Sequence, residues 1–309
     1  MKRQRAKTAV DVWIVGSIGI DDIKTRTSDR KNLMGGSLPF STVASSFFAP
    51  TGAVGVVGTD FPAAFGKKWR SYGIDLTGVQ SQEGSTFRWA CVYDDNMIER
   101  TTLKTELGVF ASFKPELPET YRRAPFILLG NIQPELQIHV LEQANSPRFV
   151  VLDTMNLWID IARSALCKVI KRVDLLTLND GEARLLTKKW NLFDCAEAIL
   201  KMGPSYVIIK KGEHGALLFS KKGLFIVPAY PVSKLVDPTG AGDSYAGAFI
   251  GFLAREGRVT ESLLRQALIH ASAVASFGVE GFSLERFERL TLRDVEKRVQ
   301  HLKRMTAIP

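Results

Sequence analysis

Val236-Asp237-Pro238-Thr239-Gly240-Ala241-Gly242-Asp243-Ser244-Tyr245 is the stretch around which the chain is arranged. An apolar segment leads into it, and a run rich in glycine and alanine, Ala246 to Ala254, leads out. Two glycines flank an alanine where a helix should begin. The first turn of a helix has unpaired N–H groups and a partial positive charge, so it attracts anions. Glycine lets the backbone approach a ligand closely. A carboxylate one residue past such a site would repel a bound phosphate. Asp243 therefore has two readings. It takes a proton from an incoming hydroxyl, as phosphoryl transfer requires, or it serves the helix dipole from the first turn.

The chain has 309 residues, 45% hydrophobic and 24% charged, which fits one large α/β domain or two small ones. Its net charge of +9 is spread out without aromatic interleaving, apart from basic clusters in Met1–Lys7 and Arg286–Arg304. That argues against a nucleic-acid partner and for a solvated surface whose field mildly favours an anionic substrate. Cys91, Cys167 and Cys195 are far apart and odd in number. They fit neither a disulfide framework nor a zinc site, and point to a cytoplasmic protein. Val10 to Ile20 lacks a cleavage pattern, and no apolar run approaches the roughly 20 residues of a membrane span, so neither a secretory leader nor a membrane partner is expected.

Val10 to Ser17 reads as a buried strand, followed by Gly19-Ile20-Asp21-Asp22. A carboxylate just past a central strand lies where open α/β sheets bind ligands. Met34-Gly35-Gly36 opens a helix running to about Phe48. Gly52, Gly55 and Gly58 have the spacing G-x-x-G-x-x-G, which is not the dinucleotide fingerprint; they read as a strand ending in a turn. Phe61 to Tyr72 is a helix stopped by Gly73. Thr86–Tyr93, the turn Asp94-Asp95-Asn96 and Met97–Leu103 form a hairpin. From Phe126 onward apolar runs at Phe126–Gly130, Phe149–Asp153, Leu175–Leu178 and Tyr206–Lys210 alternate with helical patterns, one of them near Ile159–Arg172. Such alternation predicts right-handed crossovers and a mainly parallel sheet covered by helices on both faces. Asn179 and Glu182 admit two readings at once. They share a helix face and could orient the waters of Mg²⁺, or they close a capping box. Ser262 to Gly278 is a helix carrying His270, and a basic amphipathic end runs from Leu284 to Val299.

Asp237-Pro-Thr-Gly-Ala-Gly-Asp243 resembles the signature of the ribokinase/PfkB family of small-molecule kinases. Other segments match in order: Gly16-Ser17-Ile18-Gly19-Ile20-Asp21, Gly35-Gly36, Asn179-x-x-Glu182 and Lys210-Lys211-Gly212-Glu213-His214-Gly215. The resemblance spans essentially the whole chain. It implies a ribokinase-like three-layer α/β sandwich, with residues 1–309 forming one kinase domain and a small β lid contributed by about residues 20–34 and 84–108. It implies ATP and Mg²⁺, Asp243 as general base, and an anion hole at Gly240, Ala241 and Gly242. Asp21, Gly35, Gly36, Phe40 and Arg88 would meet the acceptor. Lys210, Gly212, Gly215, Thr239 and His270 would meet ATP, with Asn179 and Glu182 holding Mg²⁺ through water. Asp237 and Thr239 match positions beside a monovalent-cation site, which implies K⁺. Lid strands that pair between subunits imply a homodimer. Ribokinases carry an asparagine at the position of Phe40, where it contacts ribose, so this chain departs from them there. The reading that follows is an ATP-dependent sugar or polyol kinase. The alternatives are a nucleoside or inositol kinase, and a catalytically silent nucleotide-binding regulator on the same fold.

Overall fold

The structure is a computed structural model and describes residues 10–307; the basic cluster Met1–Lys7 lies outside the described residues. The strands, in chain order, are β1 (Val12–Val15), β2 (Gly19–Thr25), β3 (Ser28–Gly35), β4 (Thr51–Gly58), β5 (Asp75–Gln82), β6 (Phe87–Tyr93), β7 (Arg100–Glu106), β8 (Phe126–Leu129), β9 (Phe149–Asp153), β10 (Leu175–Asn179), β11 (Tyr206–Lys210), β12 (Ala216–Ser220) and β13 (Gly223–Val227). The helices are α1 (Ser37–Ser46), α2 (Ala63–Ser71), α3 (Pro134–Leu141), α4 (Asn156–Ile161), α5 (Arg163–Ile170), α6 (Asp180–Thr187), α7 (Leu192–Leu200), α8 (Ala241–Glu256), α9 (Glu261–Gly278) and α10 (Leu292–Thr306).

Nine strands form one sheet in the order β13-β12-β11-β10-β9-β8-β1-β4-β5. From β11 to β5 every neighbouring pair is parallel, and β12 and β13 add an antiparallel edge. β1, with the sequence VWIV, is buried at every residue. Val12 and Ile14 enter one core while Trp13 and Val15 enter the other. Side chains alternate across a strand, so an unbroken apolar run needs cover on both faces. Residues of α1, α2, α8, α9 and α10 cover the first face, and residues of α3, α5, α6 and α7 the second. The three-layer sandwich is thus the fold. α1 and α8 meet closely: a Cβ on Gly247 would lie 2.0 Å from the Ser41 carbonyl oxygen.

Three local expectations shift. The helix near Ile159–Arg172 is two helices, α4 and α5, parted at Ala162 with φ −130° and ψ 28°. The return strand of the hairpin starts at Arg100 rather than Met97. Asp94 extends the turn by accepting from the Ile98 amide at 2.9 Å and the Glu99 amide at 3.2 Å. β5 is a strand that the hydrophobic pattern does not announce, because its sequence, DLTGVQSQ, is polar and only partly buried at the sheet edge.

A second sheet has the order β3-β2-β6-β7 and is built from residues 19–35 and 87–106. One face carries Ile23, Cys91 and Tyr93, which pack on Phe282 beside Val236. This contact seats the small sheet on the loop that enters α8.

Candidate active site

The N-terminus of α8 is shaped by its sequence. Gly240 precedes the helix at φ 75°, a left-handed conformation that favours glycine. A Cβ there would also lie 2.4 Å from Phe40 Cγ. No side chain caps the helix. The Ala241 amide turns back to the Pro238 carbonyl at 3.2 Å. That bond occupies the Ala241 amide, whereas the Gly240 and Gly242 amides make no such turn bond, as the open first turn of a helix leaves its donors. Asp243 follows in the same turn.

β9, β10 and β11 lie side by side and end at Asp153, Asn179 and Lys210. Carboxyl ends of parallel strands are where such sheets place ligands. Lys210 Nζ donates to Asp153 Oδ1 at 3.0 Å, with the side chains only 17% and 7% exposed. A Cβ on Gly242 would lie 3.1 Å from that ammonium, so the pair sits against the start of α8. Burial opposes the charge on Lys210, but Asp153, Glu182 and Asp243 outweigh it and raise its pKa. Asp243 is pushed up to about 7, first by burial and then by Asp153, with Lys210 and Arg100 acting against them. A carboxylate poised near neutrality suits proton removal at that pH.

Asn179 and Glu182 form a capping box. Asn179 Oδ1 accepts from the Glu182 amide at 2.8 Å, and Glu182 Oε2 accepts from the Asn179 amide at 2.7 Å. Burial pushes Glu182 up to about 7, with Lys210 opposing. Among the described residues no group of three or more His, Cys, Asp or Glu side chains forms a metal cage. A cation that keeps most of its water shell requires none.

Asp21 stands at a bulge of β2 and is 3% exposed. Gly35 lies directly against it: a Cβ there would be 1.9 Å from Asp21 Oδ2. Burial pushes Asp21 up to about 7, against the pull of the Gly36 amide and with the help of Asp237. Its Oδ1 is buried without a partner, which suits an acceptor for a ligand hydroxyl. Asp237 is likewise buried. Its Oδ1 accepts from the Thr239 amide at 2.9 Å, its Oδ2 has no partner, and burial raises its pKa. Thr239 Oγ1 lies 2.9 Å from the Tyr93 hydroxyl, tying the small sheet to this loop. Beyond β11, Gly212 and Gly215 take φ 55° and 87°, and the Lys211 amide donates to the Gly215 carbonyl at 2.7 Å. The result is a tight turn with open space over Gly212.

Three expected ligand contacts lie elsewhere. Phe40 is 3% exposed and its ring packs against the backbone at Gly240, so it shapes the start of α8 from within the core. Arg88 pairs with Asp60 at 3.5 Å and with Asn32 Oδ1 at 3.3 Å. It alternates with Trp89, Cys91 and Tyr93, whose face is the one turned inward. His270 is 4% exposed. It bonds the Gln266 carbonyl at 2.7 Å and Glu296 at 3.1 Å, and its ring centroid is 4.3 Å from that of Phe252. It is a core residue whose two ring nitrogens are both satisfied. Asp153, by contrast, is a member of the site that the sequence pattern does not single out. Its partner is 57 residues away in sequence, and the only available signal was its place at the end of an apolar run.

The chain matches the family model for pfkB family carbohydrate kinases over residues 21–285. It is 30% identical over 276 residues to a cytidine kinase of Thermococcus kodakarensis, covering 86% of this chain and 96% of that relative. The ribokinase of Lactococcus lactis is 24% identical over 87% of this chain and 92% of its own. Among solved structures, the nucleoside kinase of Methanocaldococcus jannaschii superposes with a TM-score of 0.75 at 20% identity, covering 96% of this chain and all of that one. The Thermotoga maritima ribokinase gives 0.75 at 24% identity, covering 94% of this chain and 99% of that one. The chain belongs to the pfkB family of carbohydrate kinases and is an ATP-dependent phosphotransferase of that family.

Proposed function

We propose that the chain is a nucleoside kinase, moving the γ-phosphate of ATP to a hydroxyl of a nucleoside. One arrangement carries the chemistry: Asp243 in the first turn of α8 with the Lys210 ammonium against Gly242. The choice of a nucleoside over a free sugar rests on the cytidine kinase relative, which matches over nearly its whole length.

In this reading Asp21 Oδ1 accepts a hydrogen bond from an acceptor hydroxyl, and Asp243 takes the proton of the reacting hydroxyl. That oxygen bonds to the γ-phosphorus as the bond to the ADP oxygen breaks. The Gly240 and Gly242 amides and Lys210 face the equatorial oxygens, where charge must be stabilised. The Gly212–Gly215 turn lets the backbone come close to the nucleotide. Mg²⁺ held through water by Glu182 and Asn179 would neutralise phosphate charge, and the burial-raised pKa of Glu182 fits a carboxylate awaiting a cation. The partnerless Asp237 Oδ2 fits a K⁺ ligand in the same way.

The small sheet acts as a lid that keeps water from competing as nucleophile. Its outer edge, β7, is exposed throughout, with Leu103 63% exposed and Ile98 of the preceding turn 70% exposed, which supports pairing with a second copy. We read residues 1–309 as a single kinase domain. The free thiols of Cys91, Cys167 and Cys195 support a cytoplasmic setting, and among the described residues no helix is long and apolar enough to cross a membrane.

The test is a phosphorylation screen with ATP, read by mass spectrometry, offering cytidine, uridine, adenosine, inosine, ribose, fructose and inositol. A nucleoside monophosphate is the expected product. Turnover of free sugars or inositol alone would replace the nucleoside reading with the sugar or polyol one. Nucleotide binding with no acceptor turned over would leave a silent regulator.

A further inference from the structure

The lid hairpin presents a cation that the site has not yet used. β6 and β7 are antiparallel, with Tyr93 opposite Arg100, Cys91 opposite Thr102 and Trp89 opposite Thr105. Directly opposed residues share a face of the sheet. The Tyr93 face is the one that packs on Phe282 and Val236 and bonds Thr239. Arg100 therefore stands on the inner face, beside the loop that leads into the anion site, while Arg88 does not. Among the described residues the Arg100 side chain makes neither an ion pair nor a hydrogen bond; its guanidinium rests over the Trp89 ring at 5.5 Å. Trp89 is itself fixed, donating from Nε1 to Thr102 Oγ1 at 3.2 Å.

We infer that Arg100 is a catalytic residue, its guanidinium reaching from the lid to the transferring phosphate opposite Lys210. The inference rests on the kinase reading above and deepens it. Arg100 lies close enough for its charge to favour the ionised form of Asp243. It is nevertheless not paired with it, and it is exposed. A guanidinium carries five N–H donors in a fixed fork suited to phosphate oxygens. Set on a lid, it completes the site only when the lid is down, so charge stabilisation and water exclusion arrive together.

The experiment compares wild type, Arg100→Gln, Arg100→Lys and Lys104→Gln. Lys104 is on the same strand but opposite Ala90, on the other face. Two readouts are taken: steady-state transfer from ATP to the preferred acceptor, and calorimetric binding of ADP with and without aluminium fluoride as a mimic of the moving phosphoryl group. R100Q should lower kcat by about 10²–10³-fold, the loss typical of one transition-state donor. It should weaken the mimic but not ADP, with R100K intermediate, K104Q unaffected and thermal midpoints equal. Wild-type kcat and mimic affinity in R100Q would overturn the inference. So would a loss confined to the acceptor KM, which would make Arg100 an acceptor contact. If wild type itself phosphorylates nothing, the nucleoside kinase reading fails, while the comparison of ADP with its mimic still decides Arg100.

Discussion

Asp243 must lose its proton before it can take one from a hydroxyl. Burial and Asp153 hold its pKa up at about 7. With the base active only when ionised, kcat should rise as pH climbs through about 7 and level off above it. D243N should lower kcat by about 10²–10⁴-fold, the usual worth of a positioned base. A flat kcat profile across that range, or wild-type turnover in D243N, would remove Asp243 from the role. This residue was legible in sequence because everything that defines it is local: Gly240, Gly242 and Asp243 fall within one helical turn. His270 was not, because its partners Phe252 and Glu296 come from other helices. The expected adenine contact is a core residue. His270→Leu should therefore lower the thermal midpoint while leaving the KM for ATP unchanged. A raised KM in a protein of wild-type stability would restore the nucleotide role.

At the scale of elements, the site is made by neighbours in space that sequence order hides. The apolar runs of β1, β8, β9, β10 and β11 announce buried parallel strands, because only helices on both faces can cover them. What such a pattern cannot announce is which strand ends adjoin, or which face of a lid strand looks inward. The Asp153–Lys210 pair depends on the first and the exchange of Arg88 for Arg100 on the second. Parity along β6 decides the face, and the hairpin register is displaced by a bulge between Ala90 and Cys91. The strand ends also set the electrostatics. Asp153 both holds Lys210 at Gly242 and raises the pKa of Asp243. Asp153→Asn should thus move the acid limb of the kcat profile to lower pH, and it should raise the KM for ATP because Lys210 is no longer held. A limb that stays at the wild-type pH would show that Asp153 does not set the basicity of Asp243.

For the molecule as a whole, the same carboxylates carry a cost in stability. Asp21, Asp243 and Glu182 are each pushed up to about 7, mainly by burial. In the unfolded chain they return to ordinary values, 3.8 for Asp and 4.5 for Glu. Between those values and about 7 the folded state binds more protons than the unfolded one, so stability falls as pH rises through that window. His270 pulls the other way, since burial lowers its pKa from 6.5, but Asp153, Asp174 and Asp237, also raised by burial, stand with the three. Asp60 and Asp75, held low by Thr86 and Thr77, lose their contribution only as pH falls below the usual carboxylate range. The ligand-free protein should therefore show a thermal midpoint that declines from about pH 5 to about pH 7 and then flattens. Asp21→Asn separates this cause from others, because Asn fills the same space without a charge to desolvate. The variant should melt higher than wild type at pH 8, show a shallower decline, and lose acceptor phosphorylation. That combination is the trade expected where a fold keeps unpaired buried charge for a ligand. A wild-type midpoint that rises across the window, or an Asp21→Asn variant that melts lower at pH 8, would mean that the buried carboxylates are already compensated in the free protein.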